Sequence, residues 1–492
     1  MIDNVIKILM IFPLVLCVLM LMVRKRAFDK FALIFYSILH FILSSYLVFF
    51  AEKTGAKQVL SGQYFAVDSL NKIFLIILSF VFLAVTIYNI GYSRHMDRLN
   101  IKVNNKNLCL YELMIIVFVW AMTGAIFCTD LGIAWVLVEA TTLSSAYLIY
   151  FNRTKNSIEA AWKYVFMCSI GIALAFVGII FLNIASLDVN TLNYTKLTEA
   201  AQAGVFDTFW LKFAFVFILF GFGAKMGLAP MHFWLPDAHS ESPSPVSALL
   251  SATLLNSAFL VILRVFNILN AANCSGYGRI MLAVTGFLSL FVTAVFIYHI
   301  KNYKRMLAYS SIENMGILAI GTALGGVGYL AVILHLIGHS LAKASFFLAS
   351  GNILELYETK NIKSVKGLMR ADKKTGWLWL LSFLAICAFP TSVLFISEFL
   401  IIKTLILKGH YLACSVFALL LTVIIYGMAR AVIKMTYREI SGEKQDIIEK
   451  NRNKITLSMY LPQVVMLAVV FVLGVYIPNF LNDIIQAAFG AF

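Results

Sequence analysis

The sequence predicts an all-α membrane protein with fourteen transmembrane helices. Of its 492 residues, 61% are hydrophobic and only 13% are charged, whereas soluble domains are about half apolar and one quarter charged. The hydrophobic residues form runs of about 20, the length at which a helix crosses a bilayer. The predicted spans, numbered one to fourteen, are 5–23, 29–51, 70–93, 109–128, 131–151, 158–186, 207–235, 244–268, 279–300, 305–323, 327–354, 376–407, 410–436 and 456–485.

The basic residues predict the orientation of these spans. The net charge of +15 does not indicate a nucleic-acid-binding protein, because the cations are not grouped with aromatic residues on one face. They concentrate instead in alternate loops, near 24–30, 94–106, 153–155, 301–305, 360–374 and 430–454. Loops rich in lysine and arginine stay on the cytoplasmic side, so we expect both termini on the outer side.

Neither a soluble domain nor a redox centre is expected. The longest segments between spans, about 190–206, 355–375 and 437–455, are too short to form a core of their own. The seven cysteines are scattered without a CxxC pair, so they indicate neither an iron–sulfur cluster nor a zinc site. We expect a single integral membrane domain over 1–492 with no bound cofactor, metal or nucleic acid.

Two of the predicted spans are interrupted by proline beside an ionisable residue. In span seven Lys225 is followed by Pro230, which has no N–H for the helix and whose ring crowds the preceding turn. In span twelve Pro390 is followed by Glu398. Paired interrupted helices are typical of transporters built from inverted repeats. We therefore predict spans one to three over 1–107, a first five-helix repeat over 108–268, a second over 279–436, and span fourteen over 456–485.

Glu139 lies in the middle of predicted span five. A carboxylate in hydrocarbon is costly unless it is paired, so a cationic partner is expected. We expect that partner to be Lys225, with Lys163 of span six as the alternative. A fixed structural ion pair is the competing interpretation, because such pairs also perturb titration.

Three ionisable residues of span eleven share one helical stripe. His335, His339 and Lys343 are spaced i, i+4 and i+8, which aligns them over about 12 Å of helix. Histidine both accepts and releases a proton near neutral pH, so the stripe predicts a proton relay. Two histidines at this spacing can also bind a metal ion, but the neighbouring lysine would repel it and no third ligand is apparent.

Other polar residues within the spans are weaker candidates. Glu398 is expected to be the last proton carrier, and Glu313 either a side branch or a structural partner. Asn256 is the strongly polar residue near the middle of span eight. His232, with Asp237 and His239, follows the break in span seven and forms either a proton entry near the cytoplasm or a set of loop caps.

Several stretches together resemble one protein family. They are Glu139–Ser145, Lys225–His239, Ser240–Leu250, Lys304–Ser311 and His335–Lys343. The chain resembles the antiporter-like, proton-translocating membrane subunits of complex I, Mrp antiporters and membrane-bound hydrogenases. The Ser-Pro-Ser-Pro-Val string from Ser242, the Ile312-Glu313-Asn314 element and the length are most similar to the hydrogenase-4 component F branch.

The resemblance implies fourteen helices, two inverted repeats, and a central polar axis through which protons cross a prokaryotic cell (inner) membrane. It also implies partners: other membrane subunits and a peripheral hydrogenase-like or dehydrogenase-like arm with iron–sulfur subunits, whose electron transfer drives the protons. The residues that match the family's proton carriers are Glu139, Lys225, His335, His339, Lys343 and Glu398. Asn256 stands where the family commonly has a lysine, and asparagine takes up no proton at physiological pH.

We therefore expect an ion-translocating subunit of a hydrogenase-4, formate hydrogenlyase or complex I-like assembly, with no catalytic centre of its own. The alternative is a Na⁺/H⁺ antiporter subunit of an Mrp-type complex. A quinone-binding or redox subunit is the rival from another class, although the sequence contains no set of cofactor ligands. A passive scaffold for a hydrogenase arm is the third interpretation.

Overall fold

The computed structural model describes residues 2–50, 59–61, 64–98, 105–186, 189, 191–440 and 442–489. These residues form helices and one small antiparallel hairpin. The elements are α1 (Ile2–Val23), α2 (Arg26–Phe50), β1 (Val59–Ser61), β2 (Phe65–Val67), α3 (Ser69–Arg98), α4 (Asn105–Phe127), α5 (Leu131–Tyr150), α6 (Lys155–Ala185), α7 (Tyr194–Gln202), α8 (Thr208–Met226), α9 (Trp234–Glu241), α10 (Ser244–Leu249), a π-helical turn (Leu250–Leu254), α11 (Leu255–Ala271), α12 (Ser275–Ile297), α13 (Tyr303–Leu324), α14 (Val327–Tyr357), α15 (Leu368–Ala371), α16 (Lys373–Ile386), α17 (Val393–Leu407), α18 (Tyr411–Tyr437), α19 (Gly442–Arg452), α20 (Leu457–Leu473) and α21 (Asn479–Phe489).

The chain is a multi-span integral membrane protein. Within the described residues, eleven helices are long and apolar enough to cross a membrane, or twelve if the bent pair Gln445–Arg452 and Leu457–Leu473 counts as one span. Predicted span fourteen is not one helix: α20 ends at Leu473 and α21 begins only at Asn479. The segments expected to be loops near 190–206 and 437–455 contain the short helices α7 and α19.

The interruption predicted at Pro230 is present and buried. Helix α8 ends at Met226, the next residue Gly227 has a left-handed φ of 81°, and α9 begins at Trp234. The Trp234 indole N–H donates to the Ala224 carbonyl at 2.7 Å, so a side chain satisfies one of the carbonyls that the broken helix leaves open. Irregular backbone is tolerated at membrane depth when it lies inside protein.

The interruption predicted at Pro390 is also present, but it lies at the surface. Helix α16 ends at Ile386 and α17 begins at Val393, after the N-cap Ser392. Phe389 is 49% exposed, and Pro390 is exposed as well. The two broken helices therefore differ in their surroundings, although both carry an ionisable residue near the break.

The centre of the bundle is formed by α14 and by the continuous stretch from α10 to α11. The most hydrophobic part of Ser244–Ala271 is completely buried, and 94% of the most hydrophobic part of α14 is buried. The π-helical turn lies within the first of these segments. Polar residues on these helices consequently lie in the protein interior and not in lipid.

Glycines allow α6 and α8 to approach each other closely. A Cβ added to Gly221 of α8 would lie 2.6 Å from the Cβ of Ala175, and one added to Gly178 of α6 would lie 2.7 Å from Ile218. Carbon atoms of packed side chains normally lie about 3.5–4 Å apart. This contact fixes the helix that carries Lys225 against α6.

Candidate functional site

Lys225 lies in the last turn of α8 and is fully buried. Its Nζ donates a hydrogen bond to the Tyr164 hydroxyl of α6 at 2.9 Å, and it lies 4.9 Å from the centre of that ring. The Tyr164 hydroxyl is also 2.6 Å from Oγ of Ser145 on α5. The lysine is thus connected to α5 through two hydroxyl groups.

Glu139 lies at the edge of this arrangement. It is half-buried on α5, where one carboxylate oxygen accepts a hydrogen bond from the Thr142 hydroxyl at 2.8 Å. Among the described residues it forms no ion pair with Lys225 within 4.0 Å, although its charge acts on that lysine. The expected direct pair is therefore not formed, and Tyr164 with Ser145 provides the connection between the two helices.

Lys163 is not the partner of Glu139. Its Nζ lies 2.5 Å from Glu159 and 3.0 Å from Asp237, with its side chain 49% exposed. Asp237 also pairs with Arg305 at 2.8 Å. These residues line a polar cavity of about 270 Å³, so Lys163 belongs to a surface network.

The structure separates the three residues expected to form a proton entry or loop caps. Asp237 faces the polar cavity, whereas His239 is fully buried with its ring stacked on Phe347 at 4.8 Å. Neither ring nitrogen of His239 has a hydrogen-bond partner among the described residues, and Nδ1 of the buried His232 has none. No side-chain hydrogen bond caps the start of α9.

A buried lysine was counted in the sequence as a loop cation. Lys304 is fully buried in the first turn of α13, where its Nζ donates to the Ser242 carbonyl at 2.6 Å. The signal that identifies it is Asn302, whose side chain accepts from the backbone N–H of Lys304 and so caps the helix. A charge inside a capped helix can turn inward, as this one does.

The histidine and lysine stripe of span eleven lies in the buried core on α14. Nε2 of His335 is 3.0 Å from Oδ1 of Asn314 on α13, and Nδ1 is 2.9 Å from Oγ of Ser397 on α17. His339 is equally buried. His335 therefore connects α13 to α17, one residue away from Glu398.

Lys343 and Glu313 form the charged centre of the second half of the molecule, which corresponds to the predicted second repeat (279–436). Lys343 is fully buried, and its Nζ donates to the Leu307 carbonyl at 2.9 Å. Glu313 is 5% exposed and accepts from the Ser310 hydroxyl at 3.1 Å. The two charges attract each other without an ion pair within 4.0 Å. Glu398 lies farther along, 9% exposed, on α17.

Asn256 connects the central segment to α14. Its amide Nδ2 donates to the Ala252 carbonyl at 2.7 Å and to the Ser340 hydroxyl at 2.8 Å, while Oδ1 has no hydrogen-bond partner among the described residues. One turn earlier, the Ser251 and Ser311 hydroxyls are 2.8 Å apart. Hydroxyl and amide groups therefore connect the central segment to α13 and α14.

Four further residues that the sequence failed to identify are uncharged. Tyr164, Ser145, Asn314 and Ser397 each bond directly to a predicted site residue or to its neighbour. Serine and tyrosine are frequent in membrane helices, so their type alone gave no signal. Their positions opposite Lys225 and His335 become evident only when the helices are packed.

Comparison with known proteins gives three consistent matches. The family model described as NADH:quinone oxidoreductase/Mrp antiporter, TM, matches residues 128–425. A hydrogenase-4 component F homolog of Methylacidiphilum infernorum is 31% identical over 475 residues, which cover 95% of each chain. A Na⁺/H⁺ antiporter subunit of Alkalihalophilus pseudofirmus is 25% identical over 364 residues, covering 72% of this chain and 70% of the relative.

The fold is also found in a solved structure. A chain of the membrane-bound sulfane sulfur reductase, an archaeal respiratory membrane complex, superimposes with a TM-score of 0.85 at 21% identity, covering 99% of this chain and 97% of that chain. At this identity the likeness shows a shared fold and no more. The family model's match spans both charged clusters described above.

Proposed function

We propose that this chain, which belongs to the NADH:quinone oxidoreductase/Mrp antiporter transmembrane family, moves protons across the membrane as a subunit of a hydrogenase-4 or complex I-like assembly. The family membership confirms the resemblance seen in the sequence and makes the chain an antiporter-like membrane subunit. The observation that carries the proposal is the fully buried Lys225, hydrogen-bonded to a hydroxyl group beside a broken helix. An ionisable group buried at membrane depth is costly and is usually functional.

The proposed architecture has fourteen crossings in two inverted five-helix repeats. The three crossings beyond the eleven apolar helices are α13, the broken pair α16 and α17, and α20. Both termini would then lie outside, with the loop cations in the cytoplasm. The partners would be further membrane subunits and a peripheral arm with iron–sulfur subunits, whose electron transfer drives the ion movement.

In the first half, the proposed switch is the charge on Lys225. An opposite charge nearby favours the ammonium form, and the charge of Glu139 on α5 acts on Lys225 in this way. When Glu139 is neutralised or moves away, the buried ammonium loses this stabilisation and releases its proton. The hydroxyl groups of Tyr164 and Ser145 hold the amine in position and can transmit a proton between α8 and α5.

In the second half, the proposed carriers lie along α14. A proton that arrives at Lys343 is held near Glu313, and His339 and His335 lead from there toward Ser397 and Glu398. A histidine with two accessible ring nitrogens can accept a proton on one side and release it on the other. Asn256 cannot carry the proton, so in this scheme it positions the Ser340 hydroxyl of α14.

The test is Lys225→Ala in the complex that contains this chain, reconstituted into vesicles. We expect electron transfer to continue while proton uptake, measured with a pH-sensitive dye, falls by roughly 100-fold, the scale on which a positioned proton-transfer group acts. Lys212→Ala is the matched control, because Lys212 lies on the same helix α8 but is only half-buried. Unchanged proton uptake in the Lys225 variant would refute the proposal.

The similarity to a Na⁺/H⁺ antiporter subunit favours one second candidate, exchange of sodium for protons. The same vesicles distinguish the two. A proton carrier retains its uptake when sodium is replaced by potassium. An antiporter loses it, and when the vesicle interior is made acidic it takes up radioactive sodium in exchange for the protons that leave.

A further inference from the structure

A strongly basic cavity is lined by residues other than those of the charged clusters. It has a volume of about 550 Å³ and lies where α12 ends and α13 begins, against the last turns of α18. No carboxylate is found among the described residues that line it. Its cationic residues come from three separate segments of the chain and are Lys301, Lys363, Lys366, Arg430, Lys434 and Arg438.

Among the residues that the structure describes, these cations are not neutralised by ion pairs. None of the six forms an ion pair within 4.0 Å in the part of the chain that the structure describes. The guanidinium of Arg430 lies instead over the Tyr298 ring, 4.5 Å from its centre. Like charges gathered around a concave surface produce a positive potential that attracts an anion.

The surface beside the cavity is apolar and faces outward. Only 28% of the most hydrophobic window of α18 is buried. On the same helix Tyr426 is 62% exposed and Ile433 51%, and on α12 Phe296 is 49% exposed. Because both helices are candidate membrane spans, these side chains are positioned to contact acyl chains directly beside the basic cavity.

We propose that this cavity binds the phosphate group of an anionic phospholipid, with the acyl chains along α12 and α18. Basic pockets between membrane helices are known to bind lipid headgroups. An acidic peptide would match the cations but not the exposed apolar faces next to them. The exposed Tyr298, at the end of α12, fits the headgroup level, where tyrosine is enriched.

The test is native mass spectrometry of the purified full chain in detergent, titrated separately with phosphatidylglycerol, phosphatidylcholine and inorganic phosphate. We expect a retained phosphatidylglycerol adduct that the double variant Arg430→Gln with Lys434→Gln binds roughly 25-fold more weakly. This estimate follows because each cation near an anionic lipid contributes about 1 kcal/mol and each 1.4 kcal/mol is tenfold in affinity.

Two further variants separate the charge effect from a general loss of structure. Lys373→Gln with Lys450→Gln removes the same charge from exposed residues outside the cavity and should bind like the unaltered chain. Arg430→Lys with Lys434→Arg keeps the charge and should retain the adduct.

Three results would overturn the proposal. The first is equal binding of phosphatidylglycerol by the glutamine double variant. The second is displacement of the adduct by inorganic phosphate at the same concentration, which would indicate a free-anion site. The third is loss of a co-purifying subunit from the complex of the glutamine double variant with lipid binding unchanged, which would indicate a protein partner.

Discussion

The two halves of the molecule bury their lysines in different ways. In the first half Lys225 is bonded to Tyr164, and the nearby acid Glu139 is only half-buried at the edge of α5. In the second half Lys343 and Glu313 are both enclosed in the core between α13 and α14. The charge in the second half is therefore balanced internally, whereas in the first half it depends on what lies against α5. We infer that the charge on Lys225 in the first half responds to whatever packs against α5, and that the second half conducts protons.

The largest effect should come from Lys343→Met, which tests the conducting role of the second half. A thioether takes up no proton, so proton uptake by reconstituted complex should fall roughly 100-fold. Lys373→Met, an exposed change on α16, is the control. If both variants pump alike, the buried amine of α14 is not a carrier.

A second pair of variants tests where the balancing charge lies. Glu313→Gln removes the charge that attracts the buried Lys343, and we expect this loss to lower the free energy of unfolding more than a change at Glu139 does. Glu139→Gln should cost less than about 1 kcal/mol, since that carboxylate is half-exposed, while it still lowers proton uptake. Thermal unfolding in detergent and dye-monitored uptake measure the two effects. Equal destabilisation by the two changes would contradict the difference between the halves.

Close packing in the first half is tested by Gly221→Val. Added side-chain atoms would collide with Ala175, and overpacking of this kind costs about 1–3 kcal/mol. In Gly276→Val, the control, the first added carbon meets no atom within 4 Å, so a smaller change in the unfolding temperature is expected. Proton uptake should also fall in the Gly221 variant, because separating α6 from α8 breaks the bond between Tyr164 and Lys225.

The smallest effect is expected from Lys163→Gln. Exposed ion pairs contribute about 0–1 kcal/mol, and Lys163 pairs with Glu159 and Asp237 at the protein surface. Stability and proton uptake should both remain close to those of the unaltered complex. A loss of proton uptake as large as that of Lys225→Ala would contradict this surface role and would show that Lys163 belongs to the same site as Lys225.

Features that follow from one residue type were predictable from the sequence. The breaks at Pro230 and Pro390 were expected because proline cannot continue a helix, and both are present. The burial of Lys225, His335 and Lys343 followed from their positions in apolar runs.

Features that depend on packing between helices were not predictable. The sequence pairs Lys225 directly with Glu139, whereas the structure places the Tyr164 hydroxyl against the amine. Lys304 was assigned to a loop because the cap at Asn302 was not recognised. Span fourteen was drawn as one helix although five residues, 474–478, separate its two parts.

The π-helical turn at Leu250–Leu254 constrains the number of residues in the stretch that joins α10 to α11. A π turn arises when a helix accommodates one surplus residue, and one residue corresponds to about 100° of rotation about the helix axis. Deleting a single residue there would turn Asn256 away from Ser340, and would turn Arg264 away from its ion pair with Asp68. The angular setting of everything that follows along this helix is thus fixed by one inserted peptide unit.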